Sequence, residues 1–182
     1  MSKVETKTVS YKSFFPLSKR ITRIAVFLAI ALVLSYLESL FAPLLFFAPG
    51  AKIGLANAVI LIAIIILGIK SAALIQIMRL ILGAIMTGGV SNLMFSFPSG
   101  TISFLVTAIL YVFIFPKISL LGISFIGAAV HNITQVTVAG LVVGQNLMPL
   151  IPFYLAASAG AGIFVGIVSF FVVKRLPKSV YL

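Results

Sequence analysis

Glu38, Lys52, Arg79 and His131 lie in or beside stretches that are otherwise apolar enough to cross a bilayer. A charge at membrane depth costs roughly 2–3 kcal/mol or more, so such side chains face a protein or water-filled interior and mark a site. Amides accompany them. Asn57 follows Lys52 at the start of the second apolar stretch, and Gln76 precedes Arg79 by three residues, on the same helix face. His131 and Gln135 stand one helical turn apart with Asn132 between, and Asn92 falls in a glycine-rich segment after the third stretch. A guanidinium stays protonated and offers five donors in a fixed fork, which suits capture of a carboxylate or phosphate. The candidate binding set is therefore Glu38, Lys52, Asn57, Arg79, Asn92, His131, Asn132 and Gln135. Two charge arrangements are open. Glu38 and Lys52 neutralise each other and leave Arg79 over the floor of the site, or Glu38 bridges Arg79 and leaves a neutral interior.

Composition excludes several other chemistries. Of the 182 residues, 62% are hydrophobic and 8% charged, against about 25% charged in ordinary soluble domains. Thirteen Lys and Arg face only two acids, Glu5 and Glu38, for a net charge of +11. The basic residues form no patch interleaved with aromatics, as a nucleic-acid surface would need. They cluster near the two ends and otherwise stand singly between apolar runs. Without cysteine there is neither a disulfide nor a thiolate metal site, and one histidine with two acids cannot supply a protein-only zinc or magnesium site. The basic lead Met1 to Arg23 precedes an apolar run of spanning length, so it reads as a retained signal anchor.

These residues need elements to position them, and the hydropathy pattern predicts an all-α integral membrane protein with six spans. The spans run over Ile21 to Phe41, Ile53 to Leu67, Ala72 to Met86, Thr101 to Phe115, Leu120 to Val143 and Leu150 to Val173. A crossing takes about 20 apolar residues, so the second to fourth are short. Three regions follow: a basic N-terminal segment 1–20, a membrane domain 21–173 and a basic tail 174–182. With both termini cytoplasmic, eleven of the thirteen basic residues fall on the inner side, as the positive-inside rule requires.

In that orientation the polar residues gather in the outer halves of the spans. A channel needs polar lining throughout, so the pattern describes a cup open outward and sealed below. Inner connections are tight, at Gly68 to Ser71 and Pro116 to Ser119, whereas the outer segments Ala42 to Lys52 and Thr87 to Gly100 are long. The second, with its glycines and apolar anchors, is expected to be a loop that serves as a lid or binding element. Small residues at every fourth position occur as Ala25-x-x-x-Ala29, Gly140-x-x-x-Gly144 and Ser158-x-x-x-Gly162-x-x-x-Gly166. Such spacing lets helices approach closely. Internal packing is expected for the last two, and a partner subunit for the first.

Four segments carry a more specific signal: Pro49-Gly-Ala-Lys-Ile-Gly-Leu-Ala-Asn57, Met78-Arg-Leu-Ile-Leu-Gly83, Ser99-Gly-Thr-Ile-Ser-Phe-Leu105 and Gly127-Ala-Ala-Val-His-Asn-Ile-Thr-Gln135. Together they resemble the Gx transporter family, whose members are also labelled heptaprenyl diphosphate synthase component I. That family is similar to the substrate-binding S components of energy-coupling factor (ECF) transporters. The resemblance implies a six-helix membrane binding protein that captures a micronutrient or precursor from outside. It would work with a membrane scaffold subunit and two cytoplasmic ATPases, and Ala25 and Ala29 match the pattern by which S components meet the scaffold. The chain has no Gly-x-x-x-x-Gly-Lys-Ser/Thr loop, so ATP energy must come from another subunit. Prenyl transfer needs aspartate-rich magnesium motifs. This chain has no aspartate, so it is expected not to be an enzyme, although a non-catalytic subunit assisting a prenyl diphosphate or quinone-pathway enzyme is an alternative. A solitary oligomeric carrier is a third, weakened by the lack of inverted repeats.

Overall fold

The computed structural model describes residues 17–45, 55–87, 89–115 and 117–175. Within them every regular element is helical: α1 Leu17–Leu45, α2 Leu55–Leu67, α3 Ile69–Thr87, α4 Gly89–Phe113, α5 Leu120–Val143 and α6 Ile151–Arg175, the last entered through one 3-10 turn at Met148–Leu150. The helices pack inside out relative to a soluble bundle. Large apolar side chains stand outward, with Ile85 72%, Phe113 77% and Leu141 78% exposed. Serines, alanines, glycines and amides fill many buried positions. Water would penalise that much exposed apolar surface, whereas lipid accommodates it and leaves small residues for helix contacts. Five helices, α1 and α3 to α6, are long and apolar enough to cross a membrane. The chain is a multi-pass membrane protein.

The second expected span departs from that pattern. α2 has 13 residues, a rise of about 20 Å against a hydrocarbon core of about 30 Å. It sits at the centre and touches all five other helices. Ala56, Ala58 and every residue from Val59 to Ile65 are buried. A helix sheathed by protein rather than lipid has no bilayer thickness to match. Its core contacts, Ile60, Ala63 and Ile64 against Ala72, Ile75 and Ala108, and Leu61 and Ile65 against Leu120 and Ile123, hold the bundle together.

Around α2 the other helices follow in antiparallel hairpins. Gly68 alone separates α2 from α3, with φ of 79°, a left-handed conformation that a side chain would strain. Gln76 meets Gly100, Ser103 meets Gly127, and Asn132 meets Ser158, marking the α3–α4, α4–α5 and α5–α6 pairings. The last is the tightest. A Cβ on Gly162 would lie 2.6 Å from the Phe125 Cα, and one on Gly166 2.7 Å from the Leu121 Cα. The Ser158/Gly162/Gly166 spacing thus serves internal packing, as expected. Gly144, by contrast, caps α5, its N–H bonded to the Gly140 carbonyl.

The segment from Thr87 to Gly100, expected as a loop, is mostly helix. α4 starts at Gly89, not Thr101, and carries Pro98 within it. Proline removes a backbone donor, and lipid-facing helices tolerate it where nearby hydroxyls re-satisfy freed carbonyls. Ser99 Oγ donates to the Phe95 carbonyl at 2.8 Å, one residue beyond the Met94 carbonyl that Pro98 leaves without its helical donor. The Pro-Ser-Gly triplet is a bend point inside a span and not its boundary.

Candidate functional site

Arg79 is the hub of the first polar cluster. It projects from α3 and is 7% exposed. Its Nη1 donates to Ser35 Oγ on α1 and its Nη2 to Asn57 Oδ1 on α2, both at 3.4 Å. Those distances exceed the usual 2.7–3.2 Å range of an N–H···O bond. Its Nε has no hydrogen-bond partner among the described residues. Glu38 lies one turn beyond Ser35 on the same face of α1, is 3% exposed, and attracts the guanidinium electrostatically. Of the two charge arrangements, the structure brings Glu38 to Arg79. Lys52 lies outside the described residues.

A small cleft opens beside this cluster, between α2, α3 and α4. Asn57, Gln76, Gly100, Ser103 and Thr107 line it together with Ile60, Leu61 and Phe104, and its volume is about 20 Å³. That accommodates a group the size of one water. Gln76 Nε2 donates to the Gly100 carbonyl at 3.0 Å, which leaves its Oε1 buried without a partner among the described residues. Ser103 Oγ donates to the Gly127 carbonyl at 2.8 Å. The cleft wall is therefore rich in acceptors.

The second polar cluster lies in the α5–α6 seam. Asn132 Nδ2 donates to Ser158 Oγ at 2.8 Å and, more weakly, to the Tyr154 carbonyl at 3.5 Å. Ser158 Oγ in turn reaches the Tyr154 carbonyl at 2.7 Å. Asn132 thus knits two helices. His131 and Gln135 are buried on α5, 6% and 2% exposed.

A family model described as heptaprenyl diphosphate synthase component I matches residues 27–172. The chain belongs to that family. No curated protein and no solved structure matches it. The matched region takes in both polar clusters and the cleft. The described residues contain no group of three His, Cys, Asp or Glu that could hold a metal, and the chain has no aspartate.

Of the sequence-derived candidates, Glu38, Asn57 and Arg79 come together in one cluster, and Asn132 belongs to the seam. Asn92 sits in α4, with its side chain outside the described residues. Ala25 and Ala29 are both exposed on α1, a helix that packs chiefly on α2 and α3. Ser35, Gln76, Gly100, Ser103 and Thr107 were absent from the candidate set. Two signals could have found them. Ser35 and Gln76 each precede a buried charge by three residues. Ser96, Ser99, Ser103 and Thr107 recur at helical spacing, and all four are buried on one face of α4.

Proposed function

We propose that this chain is the membrane-embedded substrate-binding component of an ECF-type importer, capturing a small vitamin or precursor molecule with an anionic group. The observation that carries the reading is the loosely held Arg79: a buried guanidinium with two long hydrogen bonds and a spare Nε–H. Buried polar groups are as a rule hydrogen-bonded, so a buried Nε–H left over calls for an explanation, and a ligand supplies one. In this reading Glu38, Lys52, Asn57, Arg79, Asn92, His131, Asn132 and Gln135 are the pool from which ligand contacts are drawn, and the protein itself performs no catalysis.

The same reading sets orientation and partners. Lys19, Arg20, Arg23 and Lys70 share one end of the bundle, where Arg20 Nη2 bonds Ser71 Oγ at 3.0 Å. The antiparallel hairpins carry Lys117, Lys174 and Arg175 to that end too. The positive-inside rule makes it cytoplasmic, with both termini inside the cell membrane and the Arg79 cluster nearer the outer face. The exposed Ala25 and Ala29 then offer a small-residue face to a scaffold subunit that works with two cytoplasmic ATPases.

Native mass spectrometry of the protein gently solubilised from its host tests this. The expected result is a retained small anion-bearing ligand, lost in Arg79→Ala, together with scaffold and ATPase subunits. The family's description favours a second reading, a non-catalytic subunit that assists a prenyl diphosphate or quinone-pathway enzyme. A ligand-free protein that brings down a soluble synthase would overturn the importer reading in its favour.

A further inference from the structure

Two buried polar atoms, one turn apart on α3, lack partners among the described residues: Arg79 Nε, a donor, and Gln76 Oε1, an acceptor. Both side chains are otherwise fixed, Gln76 by the Gly100 carbonyl and Arg79 by Ser35 and Asn57. They ask for opposite things. The Nε–H is best satisfied by an anion, and the Oε1 by an N–H or O–H donor. Residues three apart on a helix have Cβ atoms about 5–6 Å apart, so both side chains leave the same face of α3.

The cleft beside Gln76 specifies the donor further. Its volume of about 20 Å³ is that of a water or an ammonium group. Its polar lining residues are Asn57, Gln76, Ser103 and Thr107, each of which carries an acceptor oxygen. Charge points the same way. Glu38 and Arg79 are both buried and of opposite sign, so the two together are neutral. A lone anion seated on Arg79 would leave two negative charges against one positive in a medium of low dielectric, where repulsion is poorly screened.

We propose that the Arg79 site takes a small zwitterion, its anionic group on the Arg79 Nε–H and its ammonium group in the cleft against Gln76 Oε1. This rests on the capture reading above and narrows it: the occupied site keeps zero net charge, with Glu38 as the counter-charge that rejects simple anions. Ligands that carry an anion alone bind weakly, whatever the shape of their apolar body.

The test uses the intact protein in detergent and α-, β- and γ-amino acids of graded length as probes, each beside its N-acetyl derivative (a monoanion) and its methyl ester (a monocation). Affinity is read by equilibrium dialysis. In the series that fits, the zwitterion is expected to bind roughly tenfold or more tighter than either derivative. Glu38→Gln should shift preference toward the N-acetyl monoanion. Gln76→Leu, which leaves the charges in place, should erase the advantage of the zwitterion. Equal or tighter binding of the monoanion to wild type overturns the charge rule and leaves the capture reading standing. If no series binds while the host-purified protein carries a ligand of net negative charge, the zwitterion falls and capture stands. If no series binds and the host-purified protein is empty, both fall.

Discussion

Removing Glu38 and Arg79 singly and together measures whether the first polar cluster is held by charge or by hydrogen bonds. Glu38 is 3% and Arg79 7% exposed, so each single removal strands a charge in a buried setting. Breaking a buried pair from one side costs about 3–5 kcal/mol, most of it the penalty on the partner left behind. The hydrogen bonds count for much less. Those from Arg79 to Ser35 and Asn57 are both 3.4 Å long, and ordinary bonds contribute about 0.5–1.5 kcal/mol net, so these belong at the low end. Glu38→Gln and Arg79→Met should therefore each destabilise by about 3–5 kcal/mol, and the double variant by less than either. Ser35→Ala and Asn57→Ala should each cost about 0.5 kcal/mol. The chain has neither cysteine nor tryptophan, so one introduced thiol reports unfolding cleanly. Ser169 suits it, being fully buried with an Oγ that has no partner among the described residues, so Ser169→Cys loses no bond. Thiol labelling against SDS mole fraction in mixed micelles gives the four stabilities of the cycle. Additivity within about 0.5 kcal/mol would mean that the two residues do not interact, and the neutral-site argument would fail with it.

Other features of the fold yield sharper signs than sizes. Gly162→Ala forces a Cβ to within 2.6 Å of the Phe125 backbone and should destabilise by about 1–3 kcal/mol, since backbone cannot rotate aside. Gly160→Ala, where nothing lies within 4 Å, should instead gain about 0.5–1 kcal/mol from helix propensity; the same labelling assay reads both, and equal signs would contradict the α5–α6 packing. Ser158→Ala removes the acceptor of Asn132 Nδ2 and leaves a buried donor with only the weak 3.5 Å contact to Tyr154, a loss of about 1–3 kcal/mol, whereas Asn132→Leu with Ser158→Ala should recover part of it. Arg79→Lys should keep the cluster folded yet lose retained ligand, because an ammonium cannot supply the fork of donors; retention by mass spectrometry at the wild-type level would show that only the charge matters.

The helical class and the membrane setting were legible because they depend on composition over long windows. α5 was read from Leu120 to Val143 and was found there, because Ser119 caps one end and Gly144 the other. The misread element is one where tertiary contacts override a local signal. Pro98-Ser99-Gly100 is a strong turn signal in isolation, yet Ser99 Oγ takes up the Phe95 carbonyl and Gln76 takes up that of Gly100, so the helix continues. α2, the second expected span, is as apolar as any lipid-facing helix and lies inside the bundle. Hydropathy cannot separate burial in protein from burial in lipid, and only its 13-residue length distinguishes it.

The site was legible in a different way. Charges at depth are costly enough that Glu38 and Arg79 announce themselves by type alone, and the structure brings them together. Gln76 and Ser103 announce themselves only through their spacing to other polar residues, because a single amide or hydroxyl in an apolar helix is cheap and common. That spacing marks a shared polar face, while the partners, such as the Gly100 and Gly127 carbonyls, lie on other helices and are not encoded in it. The asymmetry bears on specificity. On the proposed capture reading, the charged residues govern whether a polar ligand is held, and the uncharged residues lining the water-sized cleft govern which group accompanies its anion. Substitution at Gln76 or Ser103 should accordingly change which ligand is chosen, and substitution at Arg79 whether any is held.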